Sequence, residues 1–112
     1  VMVPSRFEPC GLTQLAALRY GAPPIVTRTG GLADTVIDAN PMALAAHCAT
    51  GIQVAPGQAE ALAAGLRRAL ALFRDVPGWR AMQKRCMTTD VSWGPSAVRY
   101  AALLKGLAAR PG

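Results

Sequence analysis

Apolar residues occur along the chain in short uninterrupted runs and in longer helical repeats, and the runs predict three strands. The first run covers residues 1–3, the second residues 25–26 and the third residues 52–54. Proline, glycine or polar residues that interrupt regular structure separate these runs from the rest of the chain, as is typical of short strands. The second run directly follows Pro23-Pro24, which prevents the preceding helix from continuing.

Apolar residues at three- and four-residue steps predict four helices. These helices cover residues 11–20, 56–73, 79–87 and about 96–109. In the third of them we expect Met82 and Cys86 to point inward. Trp79 and Trp93 are expected to be anchors in the core or between helices, because large aromatic side chains contribute much buried area.

The segments between these elements carry weaker patterns. The composition of residues 28–32 predicts a polar loop that contains glycine, and residues 33–38 fit either a brief strand or a turn. Residues 40–50 predict an excursion on the surface, and residues 92–96 predict a turn. The order strand, helix, strand, strand, helix, helix, helix therefore predicts an α/β fold, with a parallel sheet and crossover helices.

Length and composition limit the class of protein. The chain has 112 residues, 52% hydrophobic and 16% charged, which suits one compact domain with a buried core. No apolar run approaches the roughly 20 residues that cross a bilayer, so we expect no membrane partner. The chain opens on Val1 and an apolar triplet with no lead-in, and we therefore expect a truncated product whose missing part lies upstream.

The formal net charge of +6 raises the question of an anionic partner. Seven of the twelve basic residues lie between Arg67 and Arg99, where they could attract phosphates or nucleic acid. A solvated helix face is the favoured interpretation. Aromatic residues make up only 5% of the chain, which leaves little for base stacking, so we expect no nucleic-acid partner.

The three cysteines indicate the redox environment. Cys10, Cys48 and Cys86 are odd in number and form no CxxC pair, so we expect no metal site. The pattern is consistent with a reducing cytoplasm.

The loop after the first predicted strand has the strongest candidate chemistry. Gly11 permits a close backbone approach, and the amides of Gly11, Leu12 and Thr13 would be free at the start of a helix, where they could bind a phosphate. Glu8 would repel a phosphate but could accept hydrogen bonds from sugar hydroxyls beside it. The loop therefore suits a nucleotide sugar, although a capping or ion-paired Glu8 and an ordinary turn at Gly11 remain equally open on these residues alone.

A second loop follows the second predicted strand. Gly30 and Gly31 could line the same ligand cleft, because ligands bind at the carboxyl ends of parallel strands, or they could form a plain turn. Asp34 is expected to cap a turn or helix rather than to catalyse. His47, the only histidine, has no acid or nucleophile near it in sequence and is expected to be structural or exposed.

Three segments together resemble a known family. Residues 4–14 read PSRFEPCGLTQ, residues 18–21 read LRYG, and residues 28–36 read RTGGLADTV. They strongly resemble the glycogen and starch synthases that use ADP-glucose. Residues 50–51 and 90–100 also look like the C-terminal end of that family, so the resemblance extends over essentially the whole chain.

The resemblance implies a fold, a reaction and partners. The fold would be GT-B, with two Rossmann-like domains and an active site between them. Residues 1–112 would form the C-terminal part of the donor-binding domain, a partial Rossmann-like parallel sheet that ends in packing helices at about 77–110. The reaction would be retaining transfer of glucose from ADP-glucose to the non-reducing end of an α-1,4-glucan, with no cofactor and no metal. The N-terminal domain of the same enzyme would be the missing partner.

The resemblance also implies individual roles for the residues of the two loops. Glu8 would hold hydroxyls of the donor glucose and is the candidate catalytic residue. The substrate-binding candidates are Cys10, Gly11 and Leu12 for the sugar and diphosphate, Thr13 for the phosphate, and Gly30 and Gly31 for the shape of the cleft.

Some features of the wider family are not in this chain. Ala16 stands where the wider retaining superfamily carries a second glutamate, which puts the ribose contact in doubt. The Lys-x-Gly-Gly-Leu motif and the basic residues that neutralise the leaving diphosphate are also not found, so we expect the 112 residues alone to be inactive. Two alternatives are another nucleotide-sugar glycosyltransferase of the same fold and a basic module that binds glucan or nucleic acid.

Overall fold

Three short parallel strands form the centre of the molecule, and six helices surround or extend from them. The structure is a computed structural model that describes all residues, 1–112. The elements in chain order are β1 (Met2–Val3), α1 (Thr13–Arg19), β2 (Ile25–Thr27), α2 (Gly30–Thr35), α3 (Pro41–Ala45), β3 (Ile52–Val54), α4 (Ala59–Arg74), α5 (Val76–Thr88) and α6 (Trp93–Ala108).

The sheet has the order β1-β2-β3, and both pairs of neighbours are parallel. Met2 pairs with Ile25, and Ile25 pairs in turn with Ile52. An isolated parallel bridge between Asp38 and Gly51 precedes β3. The predicted α/β class with a parallel sheet and flanking helices is therefore confirmed.

Both faces of the sheet are covered. Consecutive side chains of β2 point to opposite faces, and each contributes to a different buried cluster. Ile25 belongs to a cluster of nine buried residues that also includes Leu18, Ile52 and Met82. The neighbouring Val26 belongs to a smaller cluster with residues of and after α2. Helices α4 and α5 lie on the side of the larger cluster, where α4 packs on β3 and α5 packs on both α1 and α4.

Two predictions about the core are confirmed in detail. Met82 and Cys86 are 1% and 0% exposed, so both point inward from α5. Trp79 is partly buried against the core, and its ring meets Phe73 edge to face with centroids 5.4 Å apart. The predicted anchor at Trp93 is wrong, because that side chain is 78% exposed at the start of α6.

Helix α2 was predicted as a loop followed by a strand or turn, and this prediction is wrong. The helix begins at Gly30, inside the predicted loop, and ends at Thr35. The Gly31 amide donates to the backbone carbonyls of Glu8 and Pro9 in the loop after β1, both at 3.2 Å. These contacts span 22 and 23 residues of sequence and stabilise the first turn, so no local pattern could reveal them.

The predicted surface excursion over residues 40–50 also contains a short helix. Asn40 accepts a hydrogen bond from the Ala43 amide at 2.9 Å, and Pro41 occupies the first turn, as is usual at helix starts. Ala43 and Ala49 are buried in the larger cluster. The segment is therefore partly a component of the core, since small apolar residues fill the space beside β3.

Residues 92–96 form the start of α6 and not the predicted turn. The Ser92 hydroxyl accepts from the Gly94 amide at 3.3 Å and caps the helix. Pro95 lies in the first turn, where its missing amide hydrogen costs nothing. No residue of α6 is buried, and the main packings between elements do not involve it. None of the six helices combines the length and the hydropathy that a membrane crossing requires.

Candidate functional site

The candidate site lies at the carboxyl ends of β1 and β2, where the two predicted loops leave the sheet. Because these strands are parallel neighbours, both loops emerge at the same edge. The Thr27 hydroxyl, at the end of β2, donates to the carbonyl of Ser5 in the loop after β1. The two loops are therefore tied together at their bases.

Glu8 provides an acidic group that no cation neutralises. Its side chain is half-buried, and its one side-chain hydrogen bond comes from the Ser5 hydroxyl at 3.4 Å. Neither of the two ion pairs in the structure includes it, since Arg67 binds Glu60 and Arg68 binds Asp38. The Glu8 carboxylate therefore has acceptor capacity to spare for a ligand that carries hydroxyl groups.

The backbone beside Glu8 provides donors. Gly11 has φ of +77°, a conformation that favours glycine, and this turn leads the chain into α1. No side chain caps α1 at Leu12, and both Leu12 and Thr13 are exposed. The first amides of a helix have no partner within the helix, so the amides at the start of α1 can serve a ligand.

The glycine pair at the start of α2 lies directly against the loop that carries Glu8. A Cβ atom at Gly30 would overlap the carbonyl of Glu8, and one at Gly31 would overlap the carbonyl of Cys10. Only glycine permits this close approach of two backbones. The structure therefore brings all seven residues predicted for the site, Glu8, Cys10, Gly11, Leu12, Thr13, Gly30 and Gly31, into one region.

Two further residues of this region were missed by sequence reasoning. Gln14 is fully buried, and its side-chain nitrogen contacts the carbonyls of Cys10 and Gly11 and the hydroxyl of Thr35. Thr35 donates in turn to the Gly31 carbonyl at 2.5 Å. Gln14 lies next to apolar positions of a predicted helix. A polar residue on the apolar side of a helix is the only sequence signal that could have indicated a role for Gln14.

Other candidates lie outside this arrangement. Asp34 is exposed within α2 and does not cap it, so its predicted capping role is wrong. His47 is exposed at φ of +54°, as expected for a residue without a catalytic partner.

Several of the basic residues are engaged within the fold. Arg68 donates to both carboxylate oxygens of Asp38 at 3.1 Å and to the Ala39 carbonyl at 3.1 Å. Arg85 donates to the Ala49 carbonyl at 3.0 Å. These side chains hold α4 and α5 to the connection between α2 and β3. Their engagement favours a structural role over an open basic patch.

Comparison with known proteins places the chain in a family of glycosyltransferases. Residues 1–75 match the family described as Glycosyl transferases group 1, and the chain belongs to that family. Curated relatives of the chain are glycogen synthases: it is 61% identical over 110 residues to that of Rhizobium rhizogenes and 57% identical over 110 residues to that of Acidiphilium cryptum. Each match covers 98% of this chain but 23% of the relative, so the chain spans about a quarter of their length.

Solved structures agree with this assignment. The catalytic domain of Starch Synthase IV from Arabidopsis thaliana, bound to ADP and acarbose, has a TM-score of 0.84 and 34% identity over 97% of this chain and 22% of that one. The sucrose-phosphate synthase of Thermosynechococcus elongatus has a TM-score of 0.70 and 32% identity over 96% of this chain and 25% of that one. The expected resemblance to glycogen and starch synthases and the expected fold are confirmed.

Proposed function

We propose that this chain forms the donor-binding side of a glycogen synthase active site. The reaction is transfer of glucose from ADP-glucose to the non-reducing end of an α-1,4-glucan with retention of configuration. One observation carries the proposal: an unpaired carboxylate, Glu8, lies beside the uncapped start of α1 at the carboxyl end of the sheet.

The two kinds of group suit the two halves of a nucleotide sugar. The Glu8 carboxylate accepts hydrogen bonds from hydroxyls of the donor glucose. The backbone amides of Cys10, Gly11 and Leu12 meet the sugar and the diphosphate, and Thr13 adds a hydroxyl for the phosphate. In this proposal, Gly30 and Gly31 shape the cleft by allowing α2 to approach the Glu8 loop. ADP as the nucleotide is supported by the starch synthase neighbour that was solved with ADP and acarbose.

The remaining catalytic groups belong to a larger polypeptide. Relatives are about four times as long as this chain, and the Lys-x-Gly-Gly-Leu motif and the cations that stabilise a leaving diphosphate are not found among these 112 residues. Stabilising the charge that develops on a leaving group is a large part of such catalysis. We therefore infer that an N-terminal domain completes the cleft and that the 112 residues alone have no measurable synthase activity. The cytoplasm is the proposed compartment, since all three cysteines are free thiols.

A chimeric synthase tests the proposal. The chain replaces the matching 110 residues of the Rhizobium rhizogenes glycogen synthase, with which it is 61% identical. We expect the chimera to transfer labelled glucose from ADP-glucose to glycogen, and the same enzyme without this segment to transfer none. A chimera that folds but neither hydrolyses ADP-glucose nor transfers glucose from it would contradict the assignment.

Another nucleotide-sugar transferase is the second candidate, and the similarity to a sucrose-phosphate synthase favours it. Donor selectivity separates the two proposals. The first predicts that the chimera prefers ADP-glucose to UDP-glucose in kcat/KM, whereas a preference for UDP-glucose that the parent enzyme does not share would support the second. A basic nucleic-acid module would instead show salt-sensitive binding to nucleic acid and none to ADP.

A further inference from the structure

Gln14 lies on the first turn of α1 with its side chain turned back under the loop that precedes the helix. Its nitrogen Nε2 is 3.1 Å from the Cys10 carbonyl and 2.9 Å from the Gly11 carbonyl. The side chain is fully buried, and its oxygen Oε1 has no hydrogen-bond partner. A buried side-chain amide whose oxygen has no hydrogen-bond partner destabilises the fold. The hydrogen bonds that Nε2 donates must therefore offset this cost.

These two contacts fix the orientation of two successive peptide units. A peptide unit is planar, and in the trans form its C=O and N–H bonds point in opposite directions. The chain contains no cis peptide bond. Because Gln14 holds the carbonyls of Cys10 and Gly11, the amides of Gly11 and Leu12 must point away from Gln14, toward the outside of the loop.

Thr35 connects this arrangement to α2. Its hydroxyl lies 3.1 Å from Gln14 Nε2 and donates to the Gly31 carbonyl at 2.5 Å. The Gly31 amide in turn donates to the carbonyls of Glu8 and Pro9. Nε2 of Gln14 has two hydrogens for three acceptors, so two of the acceptors share one hydrogen. A continuous chain of hydrogen bonds therefore runs from the Glu8 loop through α2 and Gln14 back to the same loop.

We propose that Gln14 and Thr35 are positioning residues for donor binding. They hold the peptide units on either side of Gly11 so that the amides of Gly11 and Leu12 face the diphosphate and sugar of the donor. This inference rests on the proposed function for its ligand. It also gives Gly30 and Gly31 a specific task, because no larger residue would let α2 reach the Glu8 loop and complete the chain of hydrogen bonds.

Substitutions of Thr35 provide the most direct test in the chimeric synthase. Thr35→Val keeps the shape of the side chain and removes the hydroxyl, whereas Thr35→Ser keeps the hydroxyl. We expect Thr35→Val to lower kcat/KM for ADP-glucose about 10- to 100-fold, since small misplacements of binding groups have effects of that size. Thr35→Ser should stay within about threefold of the parent.

Thr50→Val is the matched control for a purely structural effect. Thr50 is a buried threonine, whereas Thr35 is half-buried, and the Thr50 hydroxyl accepts from the Ile37 amide at 2.9 Å, away from the Glu8 loop. We expect Thr50→Val to lower the midpoint of thermal unfolding while kcat/KM stays within about twofold. If Thr50→Val and Thr35→Val reduce kcat/KM equally, the positioning role is wrong.

The second variant, Gln14→Met, tests whether the two residues act together. It keeps the length of the side chain and removes the donor. Because both substitutions interrupt the same chain of hydrogen bonds, the double variant should lose about as much kcat/KM as the worse single variant. Losses that multiply would show independent effects and would contradict the proposal.

Hydrogen exchange of the Gly31 amide separates this inference from the proposed function, because it needs no ligand. We expect exchange at Gly31 to accelerate at least about tenfold in Thr35→Val and in Gln14→Met, and not in Thr50→Val. If exchange accelerates in the variants but the parent chimera has no activity, the result supports the chain of hydrogen bonds and contradicts the proposed function. Unchanged exchange in both variants would reject the inference whatever the activity.

Discussion

At the residue scale, the site combines side chains that the sequence reveals with side chains that only the fold explains. Glu8 and Gly11 could be predicted, because a carboxylate and a glycine beside a helix start suggest chemistry on their own. Gln14 could not, because its proposed role depends on the carbonyls of Cys10 and Gly11, which lie within hydrogen-bond distance of its side chain in a turn that includes the φ of +77° at Gly11. The same limit applies to Thr35, whose partner Gln14 is 21 residues away in sequence.

Cys86 gives a prediction about pH. Burial raises the pKa of its thiol from an ordinary 9.0 to about 11, although the charge of Arg85 opposes the shift. The folded state therefore favours the protonated thiol. Its contribution to stability is complete below pH 9 and is lost as the pH rises toward about 11, because the unfolded chain ionises first.

Urea unfolding between pH 8 and 11 in a reducing buffer measures this effect. We expect the free energy of unfolding to fall more steeply for the native chain than for Cys86→Ser, whose hydroxyl can donate to the Thr50 carbonyl as the thiol does at 3.1 Å. Cys10→Ser is the control, since Cys10 is exposed and should leave the slope unchanged. Equal slopes for all three proteins would contradict the assigned effect of burial.

At the element scale, periodicity predicted helices well where they are long and poorly where tertiary contacts determine them. Helices α4 and α5 lie where their apolar repeats indicate. Helix α2 has no such repeat. Its first turn is stabilised by hydrogen bonds from the Gly31 amide to carbonyls of the loop after β1. Helix α6 is a different case, since its apolar repeat predicted the helix correctly and yet none of its residues is buried.

Hydrogen exchange along the 112-residue chain tests this account of α6. A helix of 16 residues with no buried residue is marginally stable in water, whereas α5 is anchored by its buried residues Met82 and Cys86. We expect the backbone amides of α6 to exchange at least about 100-fold faster than the central amides of α5. Equal protection of the two helices would show that α6 is held by contacts that the structure does not contain.

At the scale of the whole molecule, the order of elements was sufficient to predict a parallel α/β sheet. Short apolar runs that alternate with helical repeats are compatible with few topologies. Each helix can serve as the crossover connection that two parallel strands need. The site follows from this topology, since both candidate loops emerge at the carboxyl edge of the sheet. What the pattern could not supply is the contact between them, which depends on Gly30 and Gly31 lying against the Glu8–Cys10 backbone.

Comparison of the two glutamates of the chain tests the central claim most directly. In the chimeric synthase, Glu8→Gln removes the charge proposed to hold the donor glucose, and Glu60→Gln removes the charge of an exposed pair with Arg67. Because a hydrogen bond to a charged group contributes about 1.5–3 kcal/mol, we expect kcat/KM for ADP-glucose to fall about 10- to 100-fold in Glu8→Gln. Glu60→Gln should stay within about twofold. Equal activity of Glu8→Gln and Glu60→Gln would contradict the assignment of Glu8 to the donor site.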